Sequence, residues 1–130
     1  MNLALYTIDF LDLLSKLTMI ESKRVPSEFL TILQQEGVSL QSEGVADVAL
    51  APVAALRAVA TLRSAQIGIT GGEVWEKKGD RFVLTYDIWN VEKSDYPNYD
   101  EFVQASLAIA ERQVKKYVDS QDKVFLTLGI

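Results

Sequence analysis

The residues of this chain that could do chemistry are carboxylates, because its 130 residues include no histidine and no cysteine. The chain therefore cannot build a Ser-His-Asp or Cys-His nucleophile, a histidine or thiolate metal site, or a disulfide framework. Glu73, Glu76 and Asp87 lie within one short stretch and could form an acid pair or bind a metal. Their spacing demands neither, and carboxylates in strands are more often structural or solvated. We therefore expect no enzyme, no metal and no cofactor.

Composition and charge favour a globular domain with a protein partner. Apolar residues make up 48% of the chain, which predicts a single domain over residues 1–130. The net charge is −5, and residues 73–101 hold eight acids and four bases. This balance argues against a nucleic acid or an anionic membrane as partner and suits a basic protein. The apolar start, MNLALYTIDFLDLLSKL, lacks a basic region and a run of about 18 apolar residues, so we expect a cytoplasmic protein.

Periodicity predicts helices before and after a β-hairpin in the sequence. Helical patterns cover residues 8–20, 27–36, 52–62 and 98–117, with Pro52 at a first helical position and Asn98 as the N-cap of the last helix. Residues 38–50 have mixed character. Gly79-Asp80 predicts a two-residue turn before a strand over 82–91, and VFLTLGI (124–130) predicts a C-terminal strand. The predicted fold class is α+β, with helices packed on one face of a small antiparallel sheet formed by the central hairpin and the C-terminal strand.

Alternation along the hairpin divides it into two faces. One face carries Trp75, Phe82, Leu84, Tyr86 and Ile88. We expect this more apolar face to pack against the helices. The residues expected to build the fold are Gly71, Gly72, Trp75, Gly79 and Tyr86. Asp87 and Trp89 then project from the opposite face.

Aromatic residues beside acids indicate a binding surface. Seven of the twelve aromatic residues lie between Trp75 and Phe102, and exposed Trp and Tyr next to charge are typical of protein interfaces. The candidate partner-binding residues are Asp87, Trp89, Glu92, Asp95, Tyr96, Tyr99 and Glu76. Trp89 could instead pack beneath the loop that follows it.

Two other functions stay open at this point. One is a small-molecule binding module, with a pocket between helices and sheet lined by Trp75, Tyr86 and Asp87. The other is a carboxylate enzyme that uses Glu73 and Asp87. Opposite strand faces for these two acids would count against a shared site.

Two segments, ITGGEVW and TYDIWN, followed by an acidic aromatic loop and a helix with Ser106 in its second turn, resemble the Immunity protein 40 family of bacterial polymorphic toxin systems. The resemblance covers about residues 45–130. Glu73 stands where the family usually has Asp, and Ile88 where it usually has Asn. The resemblance implies a non-catalytic cytoplasmic protein, encoded beside a toxin, that binds and neutralises the toxin domain. With the acidic charge, it suggests a basic toxin such as a nuclease.

Overall fold

The structure, a computed structural model, describes residues 25–130. In chain order its helices and strands are α1 (Ser27–Glu36), β1 (Val38–Ser39), β2 (Val48–Ala49), α2 (Pro52–Ser64), β3 (Gly71–Lys78), β4 (Arg81–Asn90), α3 (Tyr99–Lys115) and β5 (Val124–Gly129). The main sheet is antiparallel with the strand order β4-β3-β5, while β1 and β2 form a separate two-stranded sheet. The α+β prediction is confirmed. The helix predicted over residues 8–20 lies outside the described residues.

Local signals fix several element boundaries. Pro52 occupies the first turn of α2, where a missing backbone N–H costs nothing. Asn98 caps α3, since its side chain accepts a hydrogen bond from the Glu101 backbone N–H at 2.9 Å. Gly79 has φ = 66°, a conformation that glycine adopts without strain, and it forms the tight turn between β3 and β4. These three predictions from sequence are confirmed.

The helices cover one face of the main sheet, which we call the helix face. Its strand residues are Val74, Trp89, Leu126 and Leu128, and they share one buried cluster with residues of all three helices. Alanines let α2 pack closely, because Ala54, Ala55 and Ala58 are all buried there. The core of the domain therefore lies between α1–α3 and this face.

The prediction that Trp75, Phe82, Leu84, Tyr86 and Ile88 face the helices is wrong. Trp75 and Phe82 belong to a second buried cluster with Val38, Leu40 and Ala49, on the face opposite the helices. The cover on this opposite face comes from β1, β2 and the turn between them, within the stretch that showed no clear period. The main sheet therefore has a core on each side.

Glu43 fastens that cover to the hairpin. Its carboxylate accepts hydrogen bonds from Arg81 Nε at 2.8 Å and Nη2 at 2.7 Å, and from the Phe82 backbone N–H at 3.1 Å. The hydrogen bonds from the Arg81 guanidinium and the Phe82 backbone lower the pKa of the Glu43 carboxyl to about 2. The turn that carries Glu43 is thus held on the first residues of β4.

Candidate functional site

A bulge in β4 brings Tyr86 to the surface. Glu73 pairs with Ile88 and Trp75 with Leu84, so three residues of β4 lie opposite the single residue Val74. Tyr86, in the middle of the three, has φ = 67° and its side chain is 82% exposed. The expectation that Tyr86 is a core residue is therefore wrong. Within residues 25–130, β4 is an edge strand of the main sheet, so the bulge lies at a sheet edge.

Asp87 holds the bulge against the end of α3. Its carboxylate accepts a hydrogen bond from the Tyr117 hydroxyl and lies 3.6 Å from Lys116 Nζ. Burial, and then the Asp87 carboxylate, raise the pKa of Tyr117 to about 12. Asp87 is half-buried and already paired on the helix face. It is thus placed to position Tyr86 rather than to be presented freely to a partner.

Trp89 is not on an exposed surface. It is 7% exposed and lies in the main core, opposite Gly72 in the strand register. A Cβ on Gly72 would overlap both the Trp89 indole and the Thr127 carbonyl oxygen. Gly72 therefore makes room for this tryptophan. Gly71 is similarly restricted, because a Cβ there would overlap the Trp89 carbonyl oxygen.

The acidic loop, residues 92–101, keeps its predicted exposure. Glu92, Asp95 and Tyr99 are exposed, and Tyr96 is half-buried. Tyr96 and Tyr99 both contact the buried Phe102 ring, with centroids 6.1 and 6.0 Å apart from it. Lys93 Nζ lies 4.9 Å from the Tyr99 ring centroid, so the only base of the loop is placed over an aromatic ring. The ring contacts to Phe102 thus hold the loop on the core, while the acids of the loop remain exposed.

The acids of β3 do not join Asp87 in a single site. Glu73 lies on the opposite face, where its carboxylate is 3.4 Å from Trp75 Nε1, whereas Asp87 lies toward α3. Glu76 is partly exposed and lies 3.8 Å from Lys78 Nζ. The residues of the predicted pocket also do not line one cavity. Trp75 is buried on the opposite face, Tyr86 is exposed at the sheet edge, and Asp87 is paired with Tyr117. The geometry supports neither the shared carboxylate site nor the ligand pocket.

Within residues 25–130, no group of three Asp or Glu side chains could hold a metal ion. None of the helices in this range combines the length and the apolar character needed to cross a bilayer.

Sequence reasoning missed three residues that the structure brings to the site. Tyr117 and Lys116 contact Asp87 from 30 and 29 positions further along the chain, and no local pattern signals such a contact. Ile88, assigned to the core, is 51% exposed. A signal for Trp89 was present in Gly72, since a glycine within a strand indicates the close approach of a large group.

Comparison with known proteins gives one match. The family described as Immunity protein 40 matches residues 39–130. This range includes the main sheet, β2, α2, α3, the bulge and the acidic loop, and it begins at the last residue of β1. Neither a curated protein nor a solved structure matches the chain.

Proposed function

The chain belongs to the Immunity protein 40 family, which implies a toxin-neutralising role, and we propose that it binds a basic toxin domain through its acidic loop. The exposed acids of this loop, which runs into the first turn of α3, carry this proposal. Residues 92–101 hold four acids and one base, a net charge of −3. That base, Lys93, is directed to the Tyr99 ring.

The proposed mechanism is non-catalytic. A cluster of exposed carboxylates attracts a basic surface over several ångströms and raises the association rate, an effect that salt screens. Tyr99 and the half-buried Tyr96 contribute contact area at small entropic cost. Binding occludes or distorts the toxin domain in the cytoplasm of the producing cell.

The first test asks whether the chain protects cells. The full chain is co-expressed with the toxin domain encoded in the adjacent open reading frame, and growth is measured. We expect growth to be restored and the two proteins to co-purify. Continued growth arrest at equal expression, with no complex formed, would refute the proposed function.

The second test asks whether the acidic loop makes the contact. The variant Glu92→Gln/Asp95→Asn is compared with Asp119→Asn/Asp122→Asn, which makes the same charge change near the other end of α3. At low salt we expect the loop variant to associate about tenfold more slowly than the parent, and the control only slightly more slowly. The difference should vanish at about 1 M salt, where the Debye length is about 3 Å. Equal slowing in both variants would show that net charge alone acts, and would reject the loop as the binding site.

A further inference from the structure

Tyr86 combines a strained backbone with an exposed aromatic ring. A bulky residue with positive φ is an outlier, because the left-handed region brings its Cβ close to the following carbonyl oxygen. Burial does not compensate for this strain, since 82% of the side chain is exposed. Strained residues of this kind persist when the surrounding structure fixes them, and they concentrate at functional sites.

Three hydrogen bonds fix the bulge around Tyr86. Thr85 Oγ1 donates to the Val74 carbonyl at 2.8 Å and accepts from the Asp87 N–H at 3.2 Å. Tyr117 donates to the Asp87 carboxylate from the end of α3. The bonds involve the residues on either side of Tyr86, so they impose its backbone conformation and leave its ring free.

Exposed residues lead from the bulge at Tyr86 along β4 to the acidic loop. We call the residues Tyr86, Ile88, Asn90 and Glu92 the β4 strip. Ile88, Asn90 and Glu92 alternate with buried residues along an extended chain. With the bulged Tyr86 included, the strip spans about 20 Å. Asn90 Nδ2 donates to Glu92 Oε1 at 2.6 Å, which joins the strip to the loop.

Beside the β4 strip, the main sheet borders a groove that is open to solvent. The cover formed by β1 and β2 packs on Trp75 and Phe82, nearer the hairpin turn. Beyond it lies an open groove of about 590 Å³ whose lining includes Gly71, Gly129, Ile88, Asn90 and Glu73. The strip therefore has an apolar part, Tyr86 and Ile88, with a carboxylate across the strand from Ile88 and another at its far end.

We propose that the β4 strip is the part of this immunity protein that sets how long the toxin domain stays bound. Tyr86 and Ile88 enter an apolar recess on the toxin domain, and Glu73 and Glu92 contact basic groups around that recess. An apolar centre within a charged rim is the usual arrangement of residues that dominate binding energy. The occupant is the toxin domain because the strip continues into the acidic loop, and the inference rests on the function proposed above.

Binding kinetics with the purified toxin domain test this inference. Tyr86→Ser and Ile88→Ala are compared with Val83→Ala, a residue of the same strand that is 46% exposed on the helix face. We expect Tyr86→Ser to speed dissociation about 30-fold and Ile88→Ala about fivefold, with association nearly unchanged. Val83→Ala should bind like the parent. Unchanged dissociation of the Tyr86 variant would overturn the inference.

A glycine at position 86 separates binding from folding. Tyr86→Gly removes the ring and relieves the positive φ. We therefore expect its unfolding midpoint to rise by about 4 °C while the toxin domain dissociates faster. A midpoint below that of the parent would show that no strain is stored there and would overturn the argument for a functional bulge.

The outcomes distinguish the two proposals. If the parent does not bind the toxin domain, both fail. If charge changes in the acidic loop slow association while the Tyr86 and Ile88 variants keep the parent's dissociation rate, only the β4 strip is rejected. A free protein that changes from dimer to monomer on Tyr86→Ser, with toxin binding unchanged, would identify the strip as a contact between copies of this chain and would also reject the inference.

Discussion

Replacing Trp89 with alanine should damage the fold rather than remove a binding contact. The indole is 7% exposed and lies in the core shared with all three helices. Burial of about 200 Å² by this side chain is worth about 5 kcal/mol at about 25 cal/mol per Å². The indole N–H has no hydrogen-bond partner among residues 25–130, and burying it unpaired offsets about 1–3 kcal/mol of this gain. We expect Trp89→Ala to lower the free energy of unfolding by about 2–4 kcal/mol.

Related variants sharpen this prediction. Trp89→Phe loses the unpaired N–H and keeps most of the buried area, so it should cost much less than alanine. Gly72→Ala places a Cβ against the same indole and against the Thr127 carbonyl, which should cost about 1–3 kcal/mol through overpacking. Val83→Ala is the matched control at an exposed position, and we expect a change within about 0.5 kcal/mol.

Urea unfolding, monitored by far-UV circular dichroism, measures these differences in the free energy of unfolding. Fluorescence is a second probe, because Trp75 is the only other tryptophan and reports on the opposite core. A loss below about 1 kcal/mol for Trp89→Ala would contradict the core placement, since buried Trp-to-Ala changes typically cost about 3–5 kcal/mol. Weak toxin binding by a stable Trp89→Ala protein would then restore Trp89 as a surface anchor.

Two further predictions concern pH. Because the pKa of Glu43 is lowered, its ionised carboxylate stabilises the fold at pH values above about 4.5. This stabilisation is lost as the pH falls from about 4.5 toward about 2. Glu43→Gln should therefore be less stable at pH 7 and lose less on acidification, measured by unfolding midpoints between pH 7 and pH 2; an unchanged acid profile would contradict the Arg81 pairing. Because the pKa of Tyr117 is raised, its protonated hydroxyl stabilises the fold below about pH 10. This stabilisation is lost as the pH rises toward about 12. Absorbance titration should show a late tyrosine ionisation in the parent that is lost in Tyr117→Phe; identical curves would contradict the hydrogen bond to Asp87.

The elements that sequence predicted well are those with local causes. The Gly79 turn, the Pro52 start of α2 and the Asn98 cap of α3 depend on residues within one turn of each feature. Their chemistry can be recognised without knowing the rest of the chain. The hairpin and the C-terminal strand could also be predicted as elements, whereas the strand order β4-β3-β5 depends on pairing between β3 and the distant β5.

The assignment of faces failed because it depends on a distant segment. Alternation shows that Phe82 and Trp89 lie on different faces but does not say which one meets the helices. That choice depends on β1 and β2, whose strands are two residues long and too short to show a period. Once they cover Trp75 and Phe82, the helices must pack on the face that carries Trp89.

The bulge could not be predicted from the sequence pattern, for a related reason. It adds two residues to β4, so Leu84 and Ile88 keep the same parity and the alternating pattern continues across it. The positive φ of Tyr86 follows from hydrogen bonds to Val74 and, through Asp87, to Tyr117. These are tertiary contacts, and no propensity of a tyrosine between Thr and Asp predicts them.

The alternation of β4 separates the residues that stabilise the domain from those available for binding. Trp89 and Val91 are buried, whereas Ile88, Asn90 and Glu92 are exposed between and beside them. Substitutions at exposed strand positions usually change stability by less than about 0.5 kcal/mol. Substitutions at the exposed positions should therefore have little effect on the fold, which the helix-face residues maintain. Because the period is two, a shift of one residue in the strand pairing would bury the β4 strip and expose Trp89. The fit of Trp89 over Gly72 opposes that shift, and so couples the exposure of the proposed binding residues to the packing of the core.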